Sequence, residues 1–98
     1  MAQTQTVVLA PGEKTSLPAR IDLSRFRSGV GLICTVDQGA VAKYTVQISA
    51  DNIHWNDYAN LTNKEASAND ELQFPAVLLR LMGAVVNGQV TLGIVQAS

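Results

Sequence analysis

The chain has 98 residues, 47% hydrophobic and only 15% charged, with seven Lys and Arg against eight Asp and Glu for a net charge of -1. That length supports one domain with one core, and the scattered cations, at a pI near 5.6, give no basic field to gather phosphates, so nucleic acid is not an expected partner. A charged fraction below the globular norm of about 25% suggests that another molecule covers part of the outer surface.

No stretch sustains helical periodicity, whereas several short β-branched runs alternate with period two, so the chain reads as all-β. TQTVVLA, residues 4 to 10, is a strand stopped at Pro11-Gly12, and TSLPARIDLS, residues 15 to 24, is an irregular strand interrupted at Pro18. Arg20, Arg25 and Arg27 cluster around Asp22, which reads as a solvated or salt-bridged loop. GVGLICTVD, residues 29 to 37, puts Val30, Leu32, Cys34 and Val36 on one face and Ile33 on the other, the pattern of a central strand covered on both sides. Cys34 is core packing: one cysteine makes no internal disulfide, so the fold needs no oxidising compartment.

YTVQISA, residues 44 to 50, alternates most cleanly, with Tyr44, Val46, Ile48 and Ala50 toward the core and Thr45, Gln47 and Ser49 away from it. NLTNKEASANDE, residues 60 to 71, is polar and poor in β-branched residues, a surface loop with at most one helical turn around Lys64 to Ala68. Near the C-terminus two apolar runs flank Asn87-Gly88, a pair that favours the type I′ turn of a β-hairpin. Val77, Leu79, Leu81 and Val85 share one face of the first arm, and Val90, Leu92 and Ile94 share one face of the second. The count is seven or eight short strands with turn signals between them. The expected fold is a single antiparallel β-sandwich, jelly-roll-like, over residues 1–98, with 1–12 a candidate N-terminal arm.

Candidate chemistry is confined to SADNIHWNDY, residues 49 to 58, which holds the lone histidine, His54, and the lone tryptophan, Trp55. A Ser-His-Asp hydrolase would need His54 as its base, yet no Gly-x-Ser-x-Gly elbow occurs. Zinc would need more ligands than Cys34 and one loop histidine supply, and Asp70-Glu71 lacks the regular acidic spacing of a calcium loop. Gly29-Val30-Gly31 lacks the third glycine and helix of a dinucleotide site. No catalytic residue, metal or cofactor is expected. The segment reads as a turn at Asp51-Asn52, with His54 in solvent and Trp55 an anchor whose ring caps the core. Trp55 as a sugar-stacking platform beside Asn52, Asn56 and Asp57 is the competing reading.

The order of these pieces has a resemblance. A Tyr-Thr-Val-Gln-Ile-Ser strand runs through Asp51-Asn52 to Trp55; then come a polar loop, FPAVLLRL, the Asn-Gly turn and VTLGIVQ. Over about residues 43 to 96 this resembles small structural proteins of tailed bacteriophages, of the head decoration or cement kind. The resemblance implies a virion component without enzymatic activity that folds in the host cytoplasm and then binds the major capsid protein and copies of itself. It further implies an oligomer, with a trimer suited to three-fold lattice positions. A tail-associated role and a carbohydrate- or receptor-binding module are the alternatives. No apolar stretch approaches a membrane span, and the N-terminus lacks the basic and apolar regions of a secretory signal. Thr4, Thr6, Val7, Val8 and Leu9 are candidate contact residues, since this segment could add to a neighbour's sheet edge. The plainer reading makes it an edge strand of its own sheet.

Overall fold

Alternation with period two yields strands, and the structure, a computed structural model describing residues 3–96, contains eight of them among the described residues. They are β1 (Gln3–Leu9), β2 (Ala19–Arg20), β3 (Val30–Val36), β4 (Val41–Ser49), β5 (Asn56–Asp57), β6 (Ala68–Glu71), β7 (Leu78–Asn87) and β8 (Val90–Gln96). Two short 3-10 helices, Leu23–Ser28 and Ala59–Leu61, sit in the connections. One sheet has the order β1-β8-β3-β6 and the other β2-β7-β4-β5, with every pairing antiparallel. This is the strand order of a jelly roll, in which the chain passes from sheet to sheet at each connection except β4 to β5.

One core lies between the sheets. Leu9, Val30, Leu32 and Leu92 from the first sheet meet Tyr44, Val46, Leu79 and Leu81 from the second, all with essentially no exposed surface. Cys34 joins them, and β3 lies between β8 and β6 in the expected central position, but only one of its faces is covered, since Ile33 on the other is 45% exposed. Ala50, expected on the core face, is exposed because the strand ends at Ser49.

Asn87-Gly88 does not close a hairpin, because β7 and β8 lie in opposite sheets. Gly88 has φ +73°, but Asn87 has no positive φ, so a type I′ turn is absent. The pair forms an arch between the sheets. Asn87 Oδ1 accepts from the Val41 N–H at 2.7 Å, and Gln89 and Asp37 exchange two hydrogen bonds at 3.1 Å, which clasps the arch to the β3–β4 turn. A Cβ on Gly88 would lie 2.5 Å from that of Ala40, so the close approach adds a second reason for glycine.

Two further expectations need correction. Residues 60 to 71 are not a plain surface loop: Leu61 is buried in the core, and Ala68–Glu71 forms β6 against β3. The single turn of helix falls at 59–61 rather than around 64–68, where Lys64 instead exchanges backbone hydrogen bonds with Tyr44 at 2.8 and 2.9 Å. Thr45, Gln47 and Ser49, though they face away from the core, are buried. The second sheet's outer face carries a polar layer beneath the loops, where Thr45 Oγ1 accepts from the Asn63 N–H at 2.9 Å and Gln47 bonds both Asp57 and Arg80.

Candidate functional site

The turn after β4 is built by two short side chains. Ser49 Oγ accepts from the N–H groups of Asp51 and Asn52 at 3.2 and 2.9 Å, and Asp51 Oδ1 accepts from those of Ile53 and His54 at 2.9 and 2.8 Å. Asn52 takes the left-handed conformation at φ 63° that asparagine tolerates. His54 Nδ1 lies 2.6 Å from Asp51 Oδ2, and His54 remains 83% exposed. Hydrogen bonds from the His54 side chain and backbone hold the Asp51 carboxyl well below the usual carboxylate range.

Ser49, Asp51 and His54 are thus neighbours, but in the wrong order for catalysis. Asp51 stands between the other two, and Ser49 Oγ is bonded to the Asp51 carboxylate at 3.2 Å rather than to the imidazole. The arrangement orders a turn and activates no nucleophile. Beside it lies a shallow cleft of about 300 Å³ between Leu23, Ile48, His54, Phe74 and Val77.

Trp55 is not in the core. Its ring lies half-buried on the outside of the second sheet, with the Arg80 guanidinium carbon 4.2 Å from the ring centroid. Arg80 Nε donates to Gln47 Oε1 at 2.9 Å, and Gln47 Nε2 donates to Asp57 Oδ1 at 2.9 Å, so the ring caps a polar relay rather than the apolar interior. Its expected anchoring role is corrected to an outer-face stacking contact, worth roughly 0.5–2 kcal/mol. Trp55→Ala is expected to lower stability by about 1 kcal/mol in chemical denaturation, whereas a core tryptophan would cost about 3–5 kcal/mol.

Cys34 has 1% exposure, and burial pushes its thiol up to about 11. A neutral, enclosed thiol is a poor nucleophile and metal ligand. Ellman's reagent is expected to leave Cys34 unreacted in the folded protein and to titrate one thiol per chain in denaturant. Among the described residues no three of His, Cys, Asp or Glu come together as a metal site, and no helix is long and apolar enough to cross a membrane. Arg25 pairs with Asp22 at 3.1 Å, which gives the arginine cluster its salt bridge.

The candidate contact residues divide by face. Val7 and Leu9 point into the core, so their side chains do not form a contact surface; Thr4, Thr6 and Val8 point outward. β1 pairs with β8 in its own sheet over all seven residues.

Those outward residues belong to a larger feature that reading single strands misses. Across the outer face of the first sheet, the paired rows are Val8–Thr91–Thr35, Thr6–Gly93–Ile33 and Thr4–Val95–Gly31. None of the nine positions is charged; Glu71 and Asn69 follow only at the β6 edge. Ile33 is 45% exposed at the middle of this face. The second sheet's outer face is crossed by loops, whereas among the described residues this one is open, with Thr4, Thr6, Val8, Ile33 and Thr35 all exposed. No known protein family, characterised protein or solved structure matches this chain.

Two of the nine positions are glycines that the backbone does not require. Gly31 and Gly93 are not among the positive-φ residues, and a Cβ built on either would meet its nearest neighbour at 3.8 and 3.6 Å, an ordinary contact. Glycine inside a strand destabilises by about 0.5–1 kcal/mol relative to alanine, and it often marks close approach of another backbone. Gly93 leaves the middle row of this uncharged surface without a side chain, and Gly31, in the end row, lines a hollow with Val95 and Glu71.

Proposed function

We propose that this protein is a non-enzymatic structural component of a tailed-bacteriophage virion: a head decoration or cement protein that binds the major capsid protein and stabilises the lattice, together with copies of itself. The observation that carries this reading is the uncharged outer face of the β1-β8-β3-β6 sheet, with Gly31 and Gly93 where side chains would fit. A surface that keeps these glycines at a cost to the isolated fold suits burial against a neighbour. The jelly-roll order supports the reading, since that architecture recurs among viral capsid domains, and so does the resemblance over residues 43 to 96. The protein would fold in the host cytoplasm and reside on the capsid surface. A sugar-binding module would use Trp55 as its platform, but Arg80 already occupies one face of that ring.

The test separates docking from folding. Gly93→Val places a β-branched side chain on this face with room for its Cβ, so the melting temperature is expected to hold or rise. Co-sedimentation with capsids is expected to be lost. Capsid binding of Gly93→Val equal to that of the unsubstituted protein would remove this face from the contact.

A further inference from the structure

The two sheets expose four edge strands, and three of them are guarded. β2 has two residues, follows Pro18 by one position and carries Arg20; β5 has two residues and carries Asp57; β6 has four and carries Asp70 and Glu71. Short length, proline and charge are the devices by which sheet edges resist pairing with another chain. β1 has none of them. Its seven residues, QTQTVVL, are uncharged, free of proline and glycine, and paired to β8 without a register shift.

Among the described residues no other element occupies the outer backbone edge of β1. The Gln5 side chain reaches across the sandwich, where Nε2 donates to the Arg20 carbonyl at 2.7 Å, but that is a side-chain bridge and leaves the strand's own outward groups open. Every second residue of an edge strand presents an N–H and a C=O to whatever lies alongside. A second copy of the same strand supplies the complement, because antiparallel pairing about a two-fold axis matches each strand's donors to the other's acceptors.

We propose that two copies of this chain join through β1, antiparallel, about a two-fold axis at Thr6, so that two four-stranded sheets become one sheet of eight. In this register Thr6 faces its own copy and Thr4 faces Val8, with no like charges opposed. The uncharged outer face then runs unbroken across both copies. An isologous contact of this kind closes at two chains, which departs from the three-fold assembly expected by analogy. The inference concerns self-association in solution and stands apart from the capsid reading.

Sedimentation equilibrium of the full chain over a range of concentrations tests it. The expected mass is twice the 10.4 kDa of one chain. Thr6→Lys and Thr6→Glu, which alter an exposed side chain, should each weigh one chain alone, because like charges meet at the axis. Mixing the two variants in equal amounts should restore the double mass. A wild-type mass of one or three chains would overturn the inference. So would a Thr6→Lys dimer as tight as wild type, or a mixture that stays monomeric while both variants keep the wild-type circular dichroism.

Discussion

Gly83→Ala is expected to cost about 3 kcal/mol or more, the largest effect of any single methyl group added to this chain. A Cβ at position 83 would lie 2.0 Å from the Lys43 carbonyl oxygen and 2.9 Å from the Tyr44 Cα. These are backbone atoms of β4, which pairs with β7 over its whole length, and the Gly83 N–H is held from elsewhere by the Lys14 carbonyl at 2.9 Å. The strand therefore has no direction in which to yield. Against a domain stability of about 5–15 kcal/mol, such a loss leaves the fold marginal. Urea denaturation of Gly83→Ala beside Gly93→Ala checks the argument, since the second adds the same methyl group where it has room. Equal midpoints for the two variants would contradict it.

Leu92→Ala is expected to cost about 2–5 kcal/mol, through lost apolar transfer and the cavity left behind. Leu92 has no exposed surface and sits in β8, which bonds to β1 on one side and β3 on the other. A collapse around the cavity would have to shift two ladders at once. Ile33→Ala, on the opposite face of the same sheet and 45% exposed, removes the same number of carbons and should nevertheless cost under about 1 kcal/mol. Differential scanning calorimetry of the pair reads this contrast directly.

The alternation in the sequence was enough to place most core side chains, because a residue's face depends only on the pleat. It could not say which strands share a sheet. Leu79, Leu81 and Val85 face Val90, Leu92 and Ile94 across the sandwich rather than along one sheet, and both arrangements demand the same pattern of apolar residues. Asn87-Gly88 marks a sharp reversal in either case. Local polarity hid β6, whose Asp70 faces inward and is satisfied by the Tyr58 hydroxyl at 2.6 Å.

Trp55 was misplaced for a different reason. Its size suggests the core, but the Ser49–Asp51 turn sets the chain on the outer side of the sheet, where Arg80 is available to stack. Gln96 is polar, yet it continues the inward series Val90, Leu92, Ile94. Buried at 1% exposure, its amide accepts from the Asp22 N–H at 3.0 Å and donates to the Asp22 carbonyl at 2.9 Å, tying the 3-10 segment to the end of β8. The open face was legible strand by strand but not as a surface, because Thr6, Gly93 and Ile33 become neighbours only once the register is known.

Co-sedimentation of this chain with capsids assembled without it tests most directly the proposal that it coats a capsid. Saturable binding at many copies per particle is expected, with bound capsids surviving heating that opens bare ones. Failure to sediment with the capsid at concentrations where the protein remains folded would contradict it.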